Sequence, residues 1–258
     1  MDRTTLRQIV TIVTVAATIA FNVLANALPL NGLNTGEISD RFQVFFVPAG
    51  YVFSIWGLIY MGLVAFAVFQ ALPSQRENPR LKRVGYLFVL SGLANMTWLL
   101  LWHYERFLLA PLALIALVLL LTGIYLRLEI GRVSVSRGER WCLQIPTSVY
   151  LGWATVATIA NVTTTLYFVG WNGWGVSPQG WAAIMLTAAT VIGALVLATR
   201  RDFAFVLVLI WAFVGIALKA NATSVVSIAA WTLALALAIV LIVGALTGRR
   251  KTPAMKPA

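Results

Sequence analysis

"IPTSVYLGWATVATIAN" (145–161) holds seventeen residues without a charge, yet it includes a proline, a tyrosine, a tryptophan and a terminal asparagine. Its length and apolar character are those of a helix crossing hydrocarbon, where roughly 20 mostly apolar residues are needed. Its polar residues are not scattered. Pro146, Tyr150, Trp153, Ala157 and Asn161 recur every three or four positions. At 3.6 residues per turn they form one stripe of a helix, and a lipid-facing stripe has no use for them.

The remainder of the chain has the same character. Of its 258 residues 60% are hydrophobic and 10% charged, against about 25% charged in soluble domains. The expected fold class is all-α, a polytopic integral membrane protein. Eight apolar runs can be drawn, at about 8–28, 51–72, 84–102, 107–127, 141–168, 181–199, 203–219 and 225–247. Lysine and arginine test that count, because they accumulate in cytoplasmic connections. With the N-terminus inside, the inner segments hold Arg3, Arg7, Arg76, Arg80, Lys82, Arg83, Arg127, Arg132, Arg137, Arg140, Arg200, Arg201, Arg249, Arg250, Lys251 and Lys256. The outer segments keep Arg41, Arg106 and Lys219. This alternation supports eight spans with both termini cytoplasmic, in a cell (inner) membrane. The net charge of +11 then reads as a topology signal and a contact with anionic headgroups of the lipid bilayer, not as a nucleic-acid surface. The first run, ending in Ala25-Asn26-Ala27, has the outline of a signal peptide, but its length favours a retained span.

Chemistry has little to work with. One cysteine, Cys142, rules out an intrachain disulfide framework, and one histidine, His103, argues against a histidine-held metal or a serine–histidine triad. No Asp, Glu, Lys or Arg interrupts the span cores, which disfavours a proton pump or a charged channel ring. An enzyme would need an acid–base pair within the spans, and Glu37, Asp40 and His103 all read as surface residues. No catalytic residue and no cofactor or metal is assigned.

Two further stripes accompany the first. Ser91, Asn95, Trp98 and Trp102 line one face of the third span, and Phe53, Trp56 and Tyr60 one face of the second. If the three faces converge, they enclose an aromatic cavity with a few hydrogen-bonding groups, the usual composition of a small-molecule site. The plainer alternative is helix packing, since asparagine and threonine in spans often bond only a neighbouring helix. Small residues such as Gly57, Gly152, Ala154 and Thr158 also permit close packing. Trp102, Trp141, Trp171, Trp174 and Trp181 sit near span ends and read as interfacial anchors.

"PAGYVFSIWGLIY" (48–60), "NMTW" (95–98) and "WATVATIAN" (153–161) together resemble the second, third and fifth helices of the TspO/MBR family, the tryptophan-rich sensory or translocator proteins. The resemblance covers roughly residues 6–170. It implies a five-helix bundle over 1–170, with a ligand cavity opening toward the long first loop. It also implies a hydrophobic ligand of porphyrin or tetrapyrrole type, handled for sensing or transport. On this resemblance Trp56, Asn95, Trp98, Trp153, Ala157 and Asn161 are ligand-binding residues, joined by Tyr60 and Tyr150 from the stripes. The 29–50 loop would be a lid, with Phe45, Phe46 and Pro48 as its contacts. Departures are plain: a single proline at 48, a shortened Phe53–Trp56 spacing, Pro146 set farther from Trp153, and no tryptophan in the first loop. No basic residue follows Tyr167 until Arg200, so the sterol-recognition pattern is missing. Residues 171–258 form a three-helix extension with a basic tail, which could cover a face used elsewhere for a homodimer. The competing reading is a secondary transporter using all eight helices, with Pro146 and Gly152 as helix breakers; no internal repeat accompanies it.

Overall fold

Three of the long helices begin at a side-chain cap. Asp2 accepts from Thr5 N at 2.7 Å to open α1 (Arg3–Ala27), and Asp202 accepts from Phe205 N at 3.2 Å to open α7 (Phe203–Lys219). Ser177 caps α6 (Pro178–Arg200) through Gly180 N at 3.1 Å. Prolines stand in the first turns of α4 (Ala110–Arg127), α5 (Ile145–Phe168) and α6, where the missing N–H costs nothing. The other long helices are α2 (Ile55–Ala71, led in by a 3₁₀ turn, Gly50–Ser54), α3 (Leu87–His103) and α8 (Val225–Thr247). This computed structural model describes residues 2–28, 30–222 and 224–247, and all of its regular structure among those residues is helical. Of the tail's basic residues, Arg249, Arg250, Lys251 and Lys256 lie outside the described residues.

Five helical stretches are long and apolar enough to cross a membrane: Arg3–Ala27, Gly50–Ala71, Ala110–Arg127, Pro178–Arg200 and Val225–Thr247. Leu87–His103 and Phe203–Lys219 are apolar but shorter. Helix α5 is long enough, at 24 residues, and is held back by its polar stripe and its threonines. Those threonines need nothing from lipid. Thr147, Thr155, Thr158 and Thr163 each donate to the carbonyl four residues earlier, at 2.7–2.9 Å. Pro146 and Gly152 do not break the helix. Pro146 occupies its first turn, and Gly152 lets α7 approach, with Val208 Cβ 3.1 Å from where a Cβ would stand. The helix-breaker support for a transporter is therefore absent.

Helices α1 to α5 pack as a ring in the order α1–α2–α5–α4–α3, with α1 and α3 closing it. Helix α4 presents Ala110, Leu114, Leu117, Leu121, Ile124 and Leu128 at alternating four- and three-residue steps, all fully buried; this stripe is its seam with α3 and α5. Helices α6, α7 and α8 pack on one another, and α7 joins them to the ring along α5 and the Gly50–Ser54 turn.

The helix ends sort by charge. Arg80 pairs with Glu139 at 3.2 Å, Arg83 with Glu129 at 3.5 Å and Arg76 with Asp2, while Arg200 reaches the Ile130 carbonyl. These contacts gather the first residues of α1 and the 72–86, 128–140 and 200–202 connections at one end. At the other end Arg41 pairs with Glu105 and Lys219 with Asp40 at 2.6 Å.

The first loop is more built than a bare lid. A short helix, Thr35–Asp40, carries a reciprocal cap between Asn34 and Glu37 and folds back over the end of α3. Two expectations fail here. His103 is fully buried, not at a surface, with its ring between Thr35 Oγ1 (3.1 Å) and the Leu30 carbonyl (3.1 Å). Trp102 is buried rather than an interfacial anchor, donating to the Thr35 carbonyl at 3.2 Å. Trp141 and Trp174 are exposed as anchors should be.

Candidate functional site

Trp56 is the hub. Its ring stacks on Tyr60 (5.7 Å between centroids) and on Trp98 (6.2 Å), and meets Tyr150 (6.1 Å) and Trp153 (6.4 Å) edge-on. Phe53 closes on Trp153 at 5.7 Å. Helices α2, α3 and α5 therefore do turn their aromatic stripes toward one another. The four- and three-residue spacing accounts for this, because it keeps each set on a single face.

What the rings enclose is smaller than the stripes imply, because they meet each other. The space between α2, α3 and α5 amounts to about 40 Å³, lined by Pro48, Trp56, Trp98, Trp153, Ala157 and Asn161 among others. That suits a water or two, not a drug-sized molecule. A larger cleft of about 600 Å³ lies on the α1 side of the same wall. Trp56, Tyr60, Trp98 and Phe53 form one flank, Asn22 and Asn26 the other, and Asn34, Thr35 and Glu37 of the first loop its rim. Its size is in the range of ligand pockets.

Asn95 and Tyr150 line neither space. They stand behind the tryptophans as buried support. From the first loop the inner space takes Thr35, Ser39, Val47 and Pro48, while Phe46 is buried in the hydrophobic core and Phe45 is packed against it. Sequence reasoning missed the α1 wall. Its signal was the buried series Thr11, Val15, Thr18, Asn22 and Ala25, spaced by three and four.

The polar groups form a partial network. Asn22 donates to Asn95 Oδ1 at 2.7 Å, and Trp98 Nε1 donates to Asn161 Oδ1 at 3.1 Å. Asn26 joins α1 to the loop by accepting from Thr35 N at 3.2 Å. One buried donor on the inner space, Trp153 Nε1, has no partner among the described residues, while Asn95 and the Tyr150 hydroxyl lie against each other behind it. An unmet donor at membrane depth is costly, which sets Trp153 apart from the satisfied polar groups around it. Among the described residues no cluster of three or more His, Cys, Asp or Glu could hold a metal ion. Nor does the site bring a general base to a nucleophile. What the arrangement offers is aromatic faces for stacking and a few hydrogen-bonding groups.

A family model described as TSPO-like protein matches residues 8–243. The match runs through α6, α7 and most of α8, well past residue 170, where the motif resemblance ends. No curated protein and no solved structure matches the chain.

Proposed function

The chain belongs to the TSPO-like protein family and is an integral membrane protein, and from that premise we propose that it binds a flat hydrophobic ligand of tetrapyrrole type in the cleft beside Trp56. The observation that carries the reading is the Trp56–Trp98 stack forming one flank of a 600 Å³ cleft. A planar ligand gains stacking energy there beyond its simple burial, about 0.5–1.5 kcal/mol per aromatic pair. Asn22 and Asn26 supply polar contacts on the opposite flank. The unpartnered donor Trp153 Nε1 on the inner space favours a ligand with an acceptor atom. All eight long helices span the bilayer in this reading, with both termini cytoplasmic and the cleft at the opposite end. The role is to sense, hold or pass on the ligand.

The test is protoporphyrin IX titrated into the purified full-length protein while tryptophan fluorescence is followed. Trp56→Leu and Trp98→Leu each weaken binding up to about tenfold, and Trp231→Leu, at an exposed position on α8, leaves it unchanged. Equal affinity in all three variants removes the proposed cleft from consideration.

A further inference from the structure

A second, larger opening lies at the basic end, about 1000 Å³ in volume, and shares no lining residue with the aromatic cleft. One wall is α2 and the start of α5, with Ile55, Leu58, Ile145 and Val149. The other is α7, with Leu207 and Trp211. Its mouth is of different chemistry: Arg132, Arg140, Arg200 and Arg201 stand there, with Asp202 the one acid in the lining. We propose that this groove is a site for one anionic phospholipid, its phosphate among the arginines and an acyl chain between α2 and α7.

Charge complementarity commits the groove to that occupant. The neighbouring acids are already engaged, Glu139 with Arg80 and Glu129 with Arg83. Asp202 spends one oxygen on the cap of α7 and leaves the other without a partner, so it offsets one of the four arginine charges and three remain. Arg132 and Arg140 are exposed and have no side-chain partner among the described residues. The other two arginines are held by the fold. Arg200 lies 5.8 Å over the Tyr125 ring, and Arg201 donates to the Gly244 carbonyl at 3.0 Å. Gly131, at φ 77°, presses so closely on the Arg200 backbone that any Cβ there would collide with it, so the loop carrying Arg132 is fixed against the α6–α7 junction. Phosphodiester and arginine match in charge and geometry. The apolar walls are half exposed, Leu58 at 52% and Leu207 at 54%. A soluble anion would leave such walls uncovered, and an acyl chain covers them. Trp211 closes the deep end of the groove, nearly three helical turns beyond the arginines, a depth that a headgroup alone does not reach.

The experiment reconstitutes the full-length protein in phosphatidylcholine vesicles doped with acyl-brominated phosphatidylglycerol or acyl-brominated phosphatidylcholine. Bromine quenches tryptophans in contact with the chain, and subtraction with Trp141→Phe and Trp211→Phe isolates the two groove indoles. The expected result is half-maximal quenching by the anionic lipid at about a tenfold lower mole fraction. Arg132→Gln/Arg140→Gln, which alters only exposed side chains, abolishes that preference, since about fivefold per charge over two charges exceeds it. Native mass spectrometry of the same pair of proteins counts retained phosphatidylglycerol and loses it in the variant. Equal quenching by both lipids, or a preference unchanged in the double variant, overturns the proposal. Loss of the preference on adding millimolar inorganic phosphate also overturns it, since that marks a small-anion site.

Discussion

At the scale of single residues, the membrane makes each polar group answer for its partner. Asn22, Asn95, Asn161 and Trp98 answer through two interhelical bonds. Bonds of this kind average about 0.6 kcal/mol, so they set register more than they hold the bundle. Outside the apolar segments, Glu139 is the most committed carboxylate. Burial disfavours its charge, but hydrogen bonds from Asn78 (3.0 Å) and Arg80 (3.2 Å) outweigh that and hold its pKa below the ordinary 4.5. A carboxyl lowered on folding contributes stability above its ordinary value, and the contribution disappears as pH falls through the lowered one. Glu139→Gln is therefore expected to cost about 1.5–3 kcal/mol at neutral pH, the range for a hydrogen bond to a charged group. Thermal unfolding in detergent checks this: the variant's midpoint starts lower at pH 7 and declines less between pH 6 and pH 3 than the parent's. Parallel pH profiles for the two proteins would refute the assignment.

At the scale of elements, α7 governs the first loop. Ala49 N donates to the Gly215 carbonyl at 3.1 Å, Trp211 Nε1 to the Val52 carbonyl at 3.1 Å, and Lys219 holds Asp40. Pro48 and Phe53, which line the ligand spaces, sit inside this grip. A Cβ on Gly215 would run into Val52 and stand 3.1 Å from Pro48 Cβ. Gly215→Ala is expected to cost about 1–3 kcal/mol by overpacking and to weaken protoporphyrin binding. Gly57→Ala on α2, with nothing within 4 Å, should leave both unchanged. Unfolding midpoints and the fluorescence titration read the two effects together, and a silent Gly215→Ala would detach the α7 clamp from the site. None of this grip was legible in the sequence, because it joins residues more than 150 positions apart. The helices themselves were legible to within about five residues at their ends, the largest miss being the start of α1 at Arg3, since lipid requires unbroken apolar runs. The three aromatic stripes were legible too, because periodicity reports which residues share a face. Periodicity does not report what the face meets, so Trp56, Trp98 and Trp153 came out as walls of a hollow when they largely fill it. His103 and Trp102 were misplaced for a related reason: a span end looks interfacial until a loop such as Thr35–Asp40 folds over it.

At the scale of the whole molecule, charge and apolar surface describe the same orientation. Of the described lysines and arginines, Arg41, Arg106 and Lys219 lie at the loop-covered end, where Glu37, Asp40 and Glu105 balance them. The remaining cations crowd the opposite end, and Leu58, Met61, Leu119, Leu207 and Leu235 are more than half exposed between the two. A soluble protein does not leave so much large apolar surface open, and a bilayer covers it. Eight spans require every odd-numbered connection to face outward and every even-numbered one inward, so accessibility alone decides the count. With Cys142 replaced by Ser, Ala222→Cys between α7 and α8 should react with a membrane-impermeant maleimide on intact cells. Ser134→Cys between α4 and α5 should react only after permeabilisation, as native Cys142 should in the parent. A chain in which α5 or α7 fails to cross reverses the exposure of Ala222→Cys alone, and one in which α3 fails to cross reverses both sites. Protection of Ala222→Cys with Ser134→Cys also protected would exclude the eight-span arrangement, and reversal of both sites would overturn the assignment of both termini to the cytoplasm.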